Sequence, residues 1–167
     1  MFWRKDKIPA DALAAFDAQA DERVLGAAQS TGDHRGWVLA TDRALVLGRN
    51  VRIPWIRVVR AGWNAPVMEV LYQEVSAGPT KLVRLVMQDP GKVSVVVRDR
   101  VTASVVSQQH VPLVEDGTGA RMVSRRDPVT GEVTWAVVFD VGLDPGDPDL
   151  RAKAEAALTD LRATLGL

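Results

Sequence analysis

Apolar residues along this chain fall in short runs broken by polar steps, and the pattern is densest at Gly36–Val59, GWVLATDRALVLGRNVRIPWIRVV. Trp37–Ala40 and Ala44–Leu47 are aromatic, aliphatic and β-branched, with Thr41, Asp42 and Arg43 between them. That composition predicts two strands joined by a tight turn. Gly48, Arg49 and Asn50 supply a second turn, because Gly and Asn tolerate positive φ. Val51–Ile53 follows as a third short strand. Pro54 lacks an N–H, so it belongs at a strand end or an edge. Ile56, Val58 and Arg60 then alternate with Arg57 and Val59 towards Trp63, which completes a meander.

The flanking pattern supplies the other elements. Pro9–Ala20 predicts a helix, with Pro9 in its first turn, Asp11 at its positive end and an apolar face of Leu13, Phe16 and Ala20. Arg23–Ala28 predicts a strand and Gln29–Arg35 a loop. Val67–Val75 and Lys81–Gln88 predict a strand pair, joined by a turn over Ser76, Ala77, Gly78 and Pro79. Asp89-Pro90 has the form of a helix start, and Val93, Val96, Val97 and Val101 follow at helical spacing. The β-branched valines leave a strand open by periodicity alone.

Thr102–Leu113, Ala120–Arg126 and Glu132–Asp140 predict three further strands. The last alternates most cleanly, with Val133, Trp135, Val137 and Phe139 on one face. A sheet this small needs a cover for that face, from the first domain, the final helix or a second subunit. Asp147 as N-cap and Pro148 in the first turn open a C-terminal helix. Its apolar stripe is Leu150, Ala154, Ala157, Leu158, Leu161 and Leu165, and Gly166 closes it.

The order W-V-L-A-T-D-R-A-L-V-L, a short turn, then R-I-P-W-I-R-V resembles the core of bacterial PH-like domain proteins. The matching residues are Thr41, Arg43, Ile53, Pro54 and Val58, and the whole chain is similar to PH-like proteins of high-GC bacteria. The resemblance implies an α+β fold, mainly antiparallel β. It would be a seven-stranded sandwich or open barrel with a capping helix, which favours the helical reading after Asp89. Residues 1–101 would form that domain, with 102–167 adding a three-stranded meander and a C-terminal helix. PH-like domains that bind phosphoinositides carry a basic first loop. Here Gln29–Arg35 contains Asp33 and one strong cation, Arg35, which argues against that ligand.

Composition narrows the function classes. The chain has 167 residues and a formal net charge of zero, so no global field draws it to nucleic acid or an anionic membrane. It contains no cysteine, which excludes disulfides, thiolate catalysis and cysteine-ligated zinc, and fits a cytoplasmic location. No apolar run reaches the ~20 residues that span a bilayer. The N-terminus carries charges and no apolar stretch of the signal-peptide kind.

Candidate chemistry is sparse. His34 and His110 are the only imidazoles, and neither sits in a catalytic motif. Asp144, Asp147 and Asp149 lack Ca²⁺-loop spacing and serve a helix start. Gly117-Thr118-Gly119 reads as a hairpin turn rather than a dinucleotide loop. The expectation is therefore a non-enzymatic binding or adaptor module for a protein or peptide, with no catalytic residue, cofactor or metal. Partner contacts are expected at Pro54 and Trp55, the latter as an exposed anchor, and at Arg121, Arg125 and Arg126 on the later hairpin. Trp37, Trp63 and Trp135 are expected in the core. One alternative is a peripheral membrane protein using Phe2, Trp3, Arg4 and Lys5. Another is a small-ligand binder or an enzyme of other chemistry. A homo-oligomer is compatible with either reading.

Overall fold

A computed structural model describes residues 7–166. The fold is α+β, with one seven-stranded and one three-stranded antiparallel sheet, and the chain divides into two compact units. The first unit runs up to Glu74 and resumes at Pro79–Ala103. The second comprises Val75–Gly78 and the chain from Ser104 onward.

In the first unit, helix α1 (Ala10–Ala14) precedes strands β1 (Val24–Gly32), β2 (Gly36–Thr41), β3 (Ala44–Leu47) and β4 (Val51–Pro54). A 3₁₀ turn over Trp55–Arg57 leads to β5 (Val58–Asn64), β6 (Val67–Gln73), β7 (Thr80–Val86) and helix α2 (Val93–Ala103). The sheet order is β4-β3-β2-β1-β7-β6-β5. Strand β1 is the joint. Its residues Val24–Ser30 pair with β2, and Thr31 and Gly32 pair with β7. The two halves face each other as a sandwich or open barrel over one core, which includes Leu45, Ile53, Met68, Val70 and Leu85. Val93, Val97 and Val101 of α2 close that core, as their spacing predicts. Gly26 permits the approach of the helix, since a Cβ there would lie 3.0 Å from the Val93 backbone nitrogen.

The predicted hairpin at Thr41 forms, and its chemistry is local. Thr41 Oγ1 accepts from the backbone N–H groups of Arg43 at 3.0 Å and Ala44 at 2.9 Å, which fixes the turn.

Three boundaries differ from the sequence reading. The helix expected over Pro9–Ala20 stops after one turn, at Ala14. It has no side-chain cap, and Phe16 leaves the helical path to pack on Leu39, Ala44 and Val46. Leu13, expected on its apolar face, is exposed. Strand β1 continues through Gly32, so the first loop shrinks to Asp33–Arg35. Helix α2 begins at Val93 rather than at Pro90, and it takes Thr102 and Ala103 from the expected strand.

In the second unit, β8 (Val105–Pro112), β9 (Gly119–Arg126) and β10 (Val133–Phe139) form a meander in the order β10-β9-β8. Helix α3 (Pro148–Leu165) covers one face. Leu158 and Leu161 meet Met122 and Trp135, with Val133 and Val137 beside them. The caps match the sequence. Asp147 accepts from the N–H groups of Asp149 and Leu150, and Gly166 adopts φ 68° at the C-terminal end. Ser76 belongs to this unit, and its hydroxyl accepts from Trp135 N–H at 2.8 Å on the β10 edge.

Candidate functional site

Of the residues singled out by sequence, Pro54 and Trp55 lie in the first unit and Arg121, Arg125 and Arg126 in the second. Pro54 is half-buried at the end of edge strand β4, as its missing N–H requires. Trp55 is not an exposed anchor. It is 5% exposed, and its indole N–H donates to Thr41 O at 3.0 Å. The 3₁₀ turn after Pro54 rotates Trp55 and Ile56 inward, an effect that strand periodicity cannot anticipate.

The arginines of β9 also part company. Strand alternation puts Arg121 and Arg125 on the face opposite Arg126. Arg121 and Arg126 are exposed, whereas Arg125 is 5% exposed and donates from Nη1 to Ser104 Oγ at 2.7 Å. Burial pushes its pKa down. Arg125 is thus a buried side chain rather than an exposed cation. Phe2, Trp3, Arg4 and Lys5 lie outside the described residues. No helix among the described residues is long and apolar enough to cross a membrane.

Both histidines are held by neighbours. His34 Nε2 lies 3.3 Å from Trp37 O. His110 Nε2 lies 2.7 Å from Asp140 Oδ2, which also accepts from Gly119 N–H at 2.7 Å. The Gly119 bond, followed by His110, holds the Asp140 carboxyl below the usual carboxylate range. The Asp140 contacts tie the ends of β8, β9 and β10 together. Asp144 Oδ1 accepts from Gly146 N–H, and Asp147 caps α3. Among the described residues, no three His, Cys, Asp or Glu side chains are grouped to hold a metal ion.

The feature that the sequence reading missed is Trp63. It was expected in the core, yet it is 37% exposed. Its register is inward, opposite the buried Met68. However, β5 is the last strand of the sheet, and Trp63 lies next to the β5–β6 turn. Trp63 therefore lies at the rim of the sheet. It lines an open cleft of about 530 Å³ with Asn64, Pro66, Glu69 and Arg84. Glu69 and Arg84 stand directly across β6 and β7, and Arg84 donates to Glu69 Oε1 from Nε at 3.0 Å and Nη2 at 2.6 Å. Gly62 completes that row in β5 opposite Glu69, and no atom lies within 4 Å of where its Cβ would be.

The cleft is thus lined by Trp63, an amide, an ion pair and a stretch of edge-strand backbone with no side chain at Gly62, with Trp63 in the inward register and Gly62, Glu69 and Arg84 in the outward one. Its volume falls within the ~300–1,000 Å³ typical of ligand sites. The usable sequence signal was the Gly-Trp-Asn step before Ala-Pro, where a large aromatic meets turn residues. No protein-family model matches the chain, and no curated protein or solved structure matches it either.

Proposed function

We propose that this is a non-enzymatic binding protein whose first unit is a PH-like module that receives an extended peptide along β5. The observation that carries the reading is Trp63, 37% exposed on an edge strand and among the residues that line an open cleft. Edge strands take peptides by adding main-chain hydrogen bonds, and adjoining pockets read alternate side chains. Here the bare backbone at Gly62 lets a peptide come close, Trp63 supplies an apolar contact, and the Glu69–Arg84 pair offers both charge signs. The seven-strand order with α2 closing the core supports the PH-like assignment.

The test is selection of a random displayed-peptide library on the full-length protein. Gly62→Val and Trp63→Ala proteins serve as controls. Gly62 has open space around its missing Cβ, so a side chain starts there without a clash. Selected peptides should lose at least about tenfold in affinity for both variants, about 1.4 kcal/mol. Peptides that bind all three proteins equally would refute the proposal.

A further inference from the structure

The meander of the second unit leaves β8 as an outer strand, hydrogen-bonded to β9 alone. Val105, Val106, Gln108, Gln109, His110 and Pro112 are all exposed. An open edge of this length invites pairing with another strand, and proteins normally guard it with charge, proline, shortness or cover. The other edges of this chain show such guards. Strand β4 is four residues long, carries Arg52 and ends in Pro54. Strand β5, the edge proposed above to take a peptide, carries one charge, Arg60. Strand β10 is met at Trp135 by Ser76. Strand β8 has eight residues, VVSQQHVP, with no Lys, Arg, Asp or Glu, and its proline comes last.

We propose that β8 is a self-association edge, at which two copies of the chain pair β8 to β8, antiparallel about a two-fold axis. The sequence of the strand selects a second copy as the occupant. Ser107, Gln108, Gln109 and His110 form a polar centre, with Val106 before it and Val111 after it. An axis through Gln109 sets Gln109 against its own copy, Gln108 against His110 and Ser107 against Val111. An axis through Gln108 sets Ser107 against Gln109. In both registers amides meet amides, hydroxyls or imidazoles, and no carboxylate or ammonium group opposes its like. Asp140 Oδ2 lies 2.7 Å from His110 Nε2 beside this polar centre. The register shift between Val105 and Ser107 leaves Ser107–Pro112 as the regular stretch, and the axis falls within it. Such a contact is isologous and closes on itself.

An interface limited to one strand edge is small, so sedimentation velocity of the full chain should span ~10 μM to ~1 mM. The apparent mass should rise from 18.1 kDa towards twice that value. Gln109→Lys brings two ammonium groups together at the axis and should raise the dissociation constant at least about tenfold. Thr159→Lys, on an exposed position of α3, should leave it unchanged. The chain has no cysteine, so Gln109→Cys carries a single thiol. Under mild oxidation it should cross-link into dimers faster than Val129→Cys, although Val129 is 74% exposed. Three results would each overturn the proposal: a monomer at every concentration, a dimer indifferent to Gln109→Lys, or equal cross-linking at the two thiols.

Discussion

Arg52 grips Glu22 with both arms of its guanidinium, Nη1 to Oε1 at 2.6 Å and Nη2 to Oε2 at 2.8 Å. The Glu22 side chain is fully buried, and its oxygens also accept from Thr41 Oγ1 at 2.7 Å and Gln19 N–H at 2.9 Å. Arg52 further donates to Asp17 O, and Arg49 donates to Ala14 O. Together these bonds hold the irregular stretch after α1 against the sheet, with Phe16 packed on Leu39 and Val46.

The Glu22 site makes stability depend on pH. Burial alone would raise the Glu22 pKa, but the bonds from Arg52, Gln19 and Thr41 and the Arg52 charge prevail and lower it from 4.5 to about 2. A depressed carboxylate pKa contributes stability that is fully present above pH 4.5 and is lost as the pH falls towards 2. Because Arg52 is partly exposed, the contribution is about 2–3 kcal/mol rather than the full value for a dry pair. Urea midpoints measured at pH 7 and at pH 2.5 should therefore converge in Glu22→Gln relative to the parent. A parent–variant gap that stays constant with pH would refute this assignment.

Trp55 should behave as a core residue. Trp55→Phe keeps most of its volume and strands the Thr41 carbonyl, so it should cost about 1–3 kcal/mol. Trp55→Ala should cost about 3–5 kcal/mol. Equilibrium denaturation checks both values. A Trp55→Ala protein as stable as the parent would place the ring outside the core.

The C-terminal helix depends on its cap. Asp147→Ala removes the acceptor for the Asp149 and Leu150 N–H groups and should cost about 0.5–2 kcal/mol. Amide exchange in the first turn of α3 reads the loss directly. Unchanged exchange there would mean that packing on Met122 and Trp135 alone sets the start of the helix.

Gly119 opens β9 opposite Pro112 of β8. A Cβ at that position would collide with the Val111 carbonyl oxygen, which no side chain tolerates. Gly119→Ala should therefore pry the strands apart and destabilise the second unit by about 2–4 kcal/mol. Denaturation of the variant, followed at Trp135, tests this. A neutral substitution would show that the β8–β9 end relaxes freely.

These cases separate what the sequence could reveal from what it could not. Features set by residues close in the chain were legible. The Thr41 hairpin, the alternation of β10 and both caps of α3 all depend on neighbours within a turn or two, whereas the valines of α2 left a strand open by periodicity alone. The misread positions depend on distant partners. Pro9–Ala20 has helical periodicity, but Phe16 gains more by packing on Leu39 than by continuing the helix. Trp55 turns inward to reach Thr41 O. Arg125 is buried beside Ser104, which comes 21 positions earlier. Trp63 has an inward register but lies at an edge, and only the strand order decides that.

The most direct test of the account is amide hydrogen exchange of the full-length protein, with and without a peptide selected on it. Strand addition at β5 predicts slowed exchange in Arg60–Asn64 on binding, with the β4 edge at Val51–Pro54 unchanged. A bound peptide that leaves Arg60–Asn64 exchanging as before would contradict the assignment of that edge as the binding site.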